Sequence, residues 1–130
     1  MTSQKQELGP VPYKELRYIT GLVEAEGSFI VTTRGEMQFV VTQGYLNMAI
    51  LHYIKNTLGV GTVTKQGART FRYVVQDKEG LRRIIEIFNG QLYLKKRLGG
   101  FERFVKAYNG RYGDSIEVEK KRYEVTAEDP

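Results

Sequence analysis

Glu24 and Glu26, near the start of the 130-residue chain, are the residues whose type and position best suit metal chemistry. They follow a segment in which apolar residues recur at helical spacing, namely Leu16, Ile19 and Val23. The C-terminal end of a helix carries partial negative charge, so acidic side chains are disfavoured there. A bound cation would remove this repulsion, and the two acids therefore indicate a cation site at a helix end.

The composition restricts which cation this could be. The chain has no cysteine and a single histidine, His52, which excludes thiolate sites and histidine clusters. Any metal must then have oxygen ligands, which Mg²⁺ and Ca²⁺ prefer. The net charge of +5 favours nucleic acid as a partner, with simple solubility as the alternative explanation.

The helix that carries the acids also predicts a helix partner. It begins at Pro12, because proline favours the first turn of a helix, and it ends at Gly27. Gly21 in its interior costs about 1 kcal/mol relative to alanine. Gly21 and Ala25 are four residues apart and share a face, where the missing side chains would allow a second helix backbone to approach closely.

The nine residues from Ile19 to Gly27, Ile-Thr-Gly-Leu-Val-Glu-Ala-Glu-Gly, resemble the motif of the LAGLIDADG homing endonucleases, and the following Ser28-Phe29 is also typical of that family. Four positions match the letters of the motif: Gly21, Leu22, Ala25 and Gly27. Thr20 is the loosest variant. Later segments follow the order of the family, so the resemblance extends over roughly Pro12 to Tyr108.

Hairpins and helices alternate in the rest of the chain. After the first helix the pattern predicts, in order, a hairpin over 28–43 that turns at Arg34-Gly35, a helix over 47–58 capped by Asn47 and ended by Gly59, a hairpin over 61–76 that turns at Gly67-Ala68, a helix capped by Asp77 and ended by Asn89-Gly90, and a last helix over 94–108 that Gly99-Gly100 would kink or split. This order predicts an α+β fold with one four-stranded antiparallel sheet covered by helices on one face. The resemblance implies the αββαββα homing endonuclease fold.

Strand alternation divides the side chains of the sheet between a core face and an open face. The positions predicted to face the core are Phe29, Val31, Thr33, Met37, Phe39, Val41, Val63, Phe71, Tyr73 and Val75. The open face suits a DNA groove, with an ordinary solvated face as the alternative. The residues predicted to contact DNA are Ser28, Ile30, Thr32, Arg34, Glu36, Gln38, Val40, Thr42, Thr62, Thr64, Gln66, Arg69, Thr70, Arg72, Val74, Gln76 and, from the last helix, Lys96.

Five side chains on this face could read bases, because their planar groups can bridge the edges of guanine or adenine: Arg34, Gln38, Gln66, Arg72 and Gln76. Thr32, Thr64 and Thr70 would add adaptable contacts. These assignments rest on alternation alone.

The resemblance implies roles at the acidic helix end. Glu26 takes the metal-ligating place of the motif, with Gly27 beside it, whereas Glu24 is expected to form structural hydrogen bonds, with a role as metal ligand as the alternative. Gln43 resembles a residue that orients water, with an ordinary residue at the end of a strand as the alternative. Lys95 resembles the active-site lysine, with Lys96 as the alternative register. Mg²⁺ would support cleavage, and Ca²⁺ would support binding without cleavage.

A single motif implies that the second helix comes from another copy of the chain, in a two-fold homodimer that binds a long, pseudo-palindromic duplex. The predicted interface residues are Tyr18, Gly21, Leu22 and Ala25. Half of a heterodimer, or part of a longer chain with two motifs, is the alternative.

The resemblance favours a magnesium-dependent endonuclease that cuts both strands of DNA at one site, encoded by a mobile intron or intein. The alternative is a module that does not cut, such as an intron RNA maturase or a transcription regulator. Without an apolar run approaching 18 residues, the sequence predicts an intracellular protein, of organellar or prokaryotic and archaeal origin. The predicted organisation is a flexible arm over 1–11, the endonuclease domain over 12–108 and a charged, mobile tail over 109–130.

Overall fold

The computed structural model describes residues 8–92 and 94–119. Its helices are α1 (Tyr13–Glu26), α2 (Met48–Leu58), α3 (Lys78–Phe88) and α4 (Lys95–Tyr112), and its strands are β1 (Gly27–Val31), β2 (Met37–Gly44), β3 (Thr62–Gly67) and β4 (Thr70–Val75). The predicted order of helices and strands and the α+β class are confirmed.

The four strands form one antiparallel sheet in the order β1-β2-β4-β3. The two central strands pair with Phe39 opposite Val75 and Val41 opposite Tyr73, and all four of these side chains are fully buried. Helices cover this face of the sheet, as the alternation predicts. The Phe29 ring lies 5.2 Å from the ring of Phe101, so the long helix α4 packs beneath the edge strand β1.

Asp77 caps the start of α3 and Gly59 ends α2 as predicted, whereas Asn47 does not cap α2. The backbone N–H of Gly80 donates to the Asp77 side chain over 3.0 Å, and Gly59 takes the left-handed conformation with φ +80°. Asn47 precedes α2 but makes no side-chain cap, so its predicted role is wrong. A 3-10 turn over Tyr45–Asn47 leads into the helix, and its first carbonyl accepts the N–H of Met48 instead.

The glycine pair Gly99-Gly100 does not kink or split the last helix. Helix α4 runs without interruption for 18 residues and ends at Gly113, which has φ +68°. The helix therefore extends beyond the predicted end at residue 108.

The described residues at both ends pack on the domain, which differs from the predicted arm and mobile tail. Gly9 accepts a hydrogen bond of 2.9 Å from the Arg83 guanidinium, and Val11 packs against the core. After α4, the Asn109 amide donates to the carbonyl of Ile116 over 2.9 Å, while the N–H of Glu119 donates to Asn89 over 2.7 Å. Residues 1–7 and 120–130 of the predicted arm and tail lie outside the described residues.

Candidate active site and nucleic-acid interface

Glu26 and Gln43, both predicted from the sequence to act at the site, contact each other. Glu26 is the exposed last residue of α1, and its Oε1 atom accepts a hydrogen bond of 2.8 Å from the Gln43 amide. The strand register explains the contact. Gly27, the first residue of β1, pairs with Val41 in β2, so the next residues of β2 run past the helix end and bring Gln43 to Glu26.

Gly27 makes the sharp change from helix to strand possible. Its N–H donates to the carbonyl of Val23, and a Cβ atom built on it would lie 2.9 Å from that same oxygen. Its backbone is extended, with φ −80° and ψ 154°, so glycine is required here by lack of space and not by a left-handed conformation. Gly27 thus fixes the position at which the helix ends, directly after Glu26.

Arg97 also belongs to this site, and the sequence did not indicate it. Its Nε atom donates to the carbonyl of Val23 over 3.1 Å, and its Nη2 atom donates to the carbonyl of Ala25 over 2.9 Å. A cation at the C-terminal end of a helix stabilises the exposed carbonyls there. The repulsion inferred at this helix end is therefore already reduced by a side chain of the protein, before any metal binds.

Glu24 also connects α1 to the start of α4. Its Oε1 atom accepts the backbone N–H of Leu94, the residue that precedes α4, over 3.3 Å. An acid near the start of a helix stabilises the unpaired N–H groups there. This contact agrees with the predicted structural role of Glu24.

Lys95 and Lys96 are both exposed in the first turn of α4. Within the part of the chain that the structure describes, no hydrogen bond or ion pair joins Lys95 to Glu26 or Gln43. Lys96 lines a cleft together with Gly27. The start of α4 thus lies near the acidic helix end, while the roles of the two lysines remain predictions.

The donor groups at Glu26 fit a hard cation but do not complete its coordination. Among residues 8–92 and 94–119, no three histidine, cysteine or acidic side chains cluster as a metal site. The exposed carboxylate of Glu26 and the neighbouring backbone would supply only part of the ligands that such a cation takes. A divalent cation here would need further oxygens, such as those of nucleic acid phosphates, water or a second copy of the chain.

The open face of the sheet carries four cross-strand rows of residues. They are, from one end of the sheet to the other, Ile30-Gln38-Gln76, then Ser28-Val40-Val74-Thr62, then Thr42-Arg72-Thr64, then Gly44-Thr70. Strand pairing therefore agrees with the predicted direction of these side chains. Their contacts with DNA remain a prediction.

The second of these rows differs from the prediction in one respect. Val40 and Val74 lie on the open face, yet only 5% and 7% of their surfaces are accessible. Their position in the two inner strands, where neighbouring side chains cover them, explains the burial. Their contacts with DNA remain a prediction, for side chains that offer little accessible surface.

The turns also depart from simple alternation. Strand β1 ends at Val31, and Thr32 accepts the N–H of Gly35 over 2.9 Å, so Thr33 and Arg34 lie in an exposed turn and Thr33 does not face the core. Glu36 pairs with Arg34 across 3.6 Å in this turn.

The second hairpin contains a bulge. Lys65 pairs with Phe71 and Gly67 with Thr70, which leaves Gln66 out of register. Arg69 lies in the turn, where its carbonyl accepts the N–H of Tyr45 over 2.9 Å. Alternation therefore gives no orientation for Gln66 or Arg69, although both residues are exposed.

Helix α1 turns its predicted interface face away from the core. Ile19, Thr20 and Val23 are buried on one side, whereas Gly21 and Ala25 are exposed on the other. A Cβ atom built on Gly21 would have no neighbour within 4 Å. Tyr18 is 52% exposed and Leu22 is half-buried. The packing of this face against a second helix remains a prediction.

None of the helices within the described residues combines the length and the apolar character needed to cross a bilayer.

Several curated proteins are similar to this chain. Probable intron-encoded endonuclease 4 of Neurospora crassa is 39% identical over 101 residues, which cover 76% of this chain and 18% of that protein. Intron-encoded RNA maturase bI4 of Saccharomyces cerevisiae is 25% identical over 104 residues, covering 80% and 16% respectively. The chain therefore spans less than a fifth of the length of these two relatives.

Two solved structures show the same fold. The LAGLIDADG meganuclease I-AabMI bound to uncleaved DNA superposes with a TM-score of 0.70 at 26% identity, covering 75% of this chain and 37% of that one. The homing endonuclease I-TnaI superposes with a TM-score of 0.67 at 21% identity, covering 75% and 74%. Residues 19–108, well over half of the sequence, match the family model described as LAGLIDADG endonuclease. The chain belongs to the LAGLIDADG endonuclease family.

Proposed function

We propose that this chain is the DNA-cleaving domain of an intron-encoded homing endonuclease, which binds a long duplex site and hydrolyses both strands with a divalent metal. The observation that carries the proposal is the hydrogen bond between Glu26 and Gln43, at an exposed helix end where α1 leads into the sheet. The 39% identity to a protein named as an intron-encoded endonuclease supports it. A DNA substrate implies an intracellular location.

Glu26 and the backbone of Gly27 would hold Mg²⁺. When bound, the metal would activate water and neutralise the charge that develops on the scissile phosphate. Gln43 donates to one oxygen of the Glu26 carboxylate, which fixes the carboxylate and leaves its second oxygen available as a ligand for a cation. Arg97 holds the backbone on which Glu26 stands, and Lys95 would offset charge at the phosphate.

Cleavage of both strands requires a second acidic helix end. A second copy of the chain would supply it, with α1 packed against α1 along the face of Gly21 and Ala25, where the backbone is accessible. Two copies related by a two-fold axis favour a pseudo-palindromic site. A longer chain with two such domains is the other source of a second helix, since this chain covers only 37% of the I-AabMI chain.

RNA maturation is the second candidate function, because a relative at 25% identity is named as an intron-encoded RNA maturase. The presence of both Glu26 and its partner Gln43 favours cleavage. A module that had lost cutting would have no need of this pair.

Selection of cleaved sites from a duplex library tests the proposal. The purified 130-residue chain is incubated with the library in Mg²⁺ and in EDTA, and the ends of linear products are sequenced. We expect defined ends in Mg²⁺ alone. Glu26→Gln keeps the shape of the side chain and removes its charge, so cleavage should fall to background while binding in Ca²⁺ persists within about tenfold.

Glu117→Gln is the matched control, because it makes the same chemical change at an exposed acid after α4, outside the predicted site. Cleavage by Glu26→Gln at the parental rate would contradict the proposed role of this carboxylate. Library binding without defined cleavage by the parent chain, together with tighter binding of intron RNA, would favour the maturase function.

A further inference from the structure

A cleft of about 280 Å³ lies beside the acidic helix end, between the edge strand β1 and the first half of α4. Residues 27–30 form one wall, and Lys96, Arg97, Gly100 and Arg103 form the other. Its lining includes three cations and no acidic side chain. We propose that this cleft binds a backbone phosphate of duplex DNA, next to the phosphate at Glu26; this inference rests on the proposed function.

Gly100, the second of the two glycines that the sequence singled out in α4, lines this cleft, and Gly99 directly precedes it. They do not bend the helix, although glycine is among the least favourable residues in a helix interior. Cβ atoms built on Gly99 and Gly100 would lie 3.8 and 4.0 Å from the two terminal nitrogens of Arg103. The Arg103 guanidinium therefore lies along the bare helix backbone, and longer side chains at these positions would occupy its space.

Arg97 is held in place at the inner end of the cleft. Two of the five N–H donors of its guanidinium are used by the carbonyls of Val23 and Ala25, which leaves three for a ligand. A guanidinium fixed in this way loses little conformational freedom on binding, and its planar donors match the oxygens of a phosphate. Lys96 and Arg103 are exposed and add charge at the mouth.

The position of the cleft favours duplex DNA as the ligand. Gly27, which lines it, directly follows Glu26, so a strand with one phosphate at Glu26 continues along the cleft. The cleft lies at the outer edge of β1, whereas Gln38, Arg72 and Gln76, which are predicted to read bases, lie on the open face of the sheet. Its contribution should therefore be independent of base sequence.

The test compares single-charge changes on one helix. Arg103→Ala and Lys96→Ala each remove a cation from the cleft, while Lys106→Ala removes an exposed cation of α4 outside it. Fluorescence anisotropy measures binding of the full chain to two labelled duplexes of different sequence and to an RNA hairpin, in EDTA and over a range of salt concentrations. Melting temperatures confirm that each variant is folded.

For each cleft variant we expect weaker binding to both duplexes by the same factor, and a slope of log K against log salt that is smaller by about 1. Lys106→Ala should change the slope less. Equal slopes for Arg103→Ala and Lys106→Ala would overturn the inference while leaving the proposed function intact. A loss confined to the RNA hairpin would overturn duplex DNA as the ligand. If the parent chain bound neither duplex, the proposed function itself would fail.

Discussion

The Nη2 atom of Arg97 lies 2.9 Å from the carbonyl oxygen of Ala25, so the start of α4 holds the end of α1 that carries Glu26. A second hydrogen bond runs from Nε to the carbonyl of Val23, so one guanidinium binds two carbonyls of α1. Glu24 and Leu94 join the same helix ends. The acidic site therefore depends on a contact between residues more than 70 positions apart in the sequence.

Replacement of Arg97 by alanine should destabilise the protein by about 1.5–3 kcal/mol, because hydrogen bonds from a charged donor are lost and the helix-end carbonyls are left without it. Arg97→Lys keeps the charge but loses the planar group with its paired N–H donors. Its free energy of unfolding should therefore lie between those of the parent and Arg97→Ala. Urea unfolding measures the effect, with Lys106→Ala, an exposed cation of the same helix, as the control. Unchanged stability of Arg97→Ala would show that these bonds add nothing to the fold.

Gly27→Ala should destabilise the protein by roughly 1–3 kcal/mol, because its Cβ atom would lie 2.9 Å from a backbone oxygen that cannot move freely. Gly21→Ala in α1 is the matched control, since its Cβ atom would meet nothing within 4 Å. We expect the free energy of unfolding of this control to rise by about 0.5–1 kcal/mol in the isolated chain, because alanine has a greater helix propensity than glycine. Thermal unfolding of both variants compares them, and equal effects would contradict the close packing at Gly27.

Gly21→Leu should leave the fold intact and prevent self-association, because a large side chain would separate two packed helices. Sedimentation velocity with and without duplex DNA measures the assembly, and circular dichroism checks the fold. Lys106→Leu adds the same side chain to an exposed site of α4 and should not change the sedimentation. If Gly21→Leu still formed a dimer, α1 would not be part of the interface.

Acid should weaken the attachment of the segment after α4. The N–H of Ser115 and then the Arg82 guanidinium lower the pKa of Asp114 below its ordinary value of 3.8. Its contribution to stability is therefore fully present above pH 3.8 and is lost as the pH falls through the lowered pKa. The stability difference between the parent and Asp114→Asn should shrink from neutral pH to about pH 2. A difference that stays constant over this range would contradict the assignment.

Local signals in the sequence were sufficient for much of this fold. Apolar spacing and the residues Asp77 and Gly59 placed the helices, because each acts within a turn of its own position. The Asn47 cap was predicted wrongly, because a 3-10 turn precedes α2 and satisfies its first N–H. The bulge at Gln66 was missed because strand alternation assumes regular pairing between neighbouring strands.

The site was only partly predictable. Glu26 and Gln43 were named because they resemble positions of a known family, and strand register then brought them together. Arg97 was missed, since a run of three basic residues looks like a solvated helix start and gives no sign that one of them reaches α1. Burial of Val40 and Val74 depends on neighbouring strands, which alternation within one strand does not describe.

The buried pair Val40 and Val74 divides the open face of the sheet into two polar clusters. One cluster contains Gln38 and Gln76, already hydrogen-bonded to each other over 2.9 Å, and the other contains Arg72 with the threonines of its row. On a duplex, the base pairs opposite each cluster would be selected strictly, while those opposite the valines would be free to vary. Each half of a target would then consist of two short specified base sequences separated by a spacer of variable sequence. A mutation in the host gene that fell in the spacer would not prevent recognition of the site.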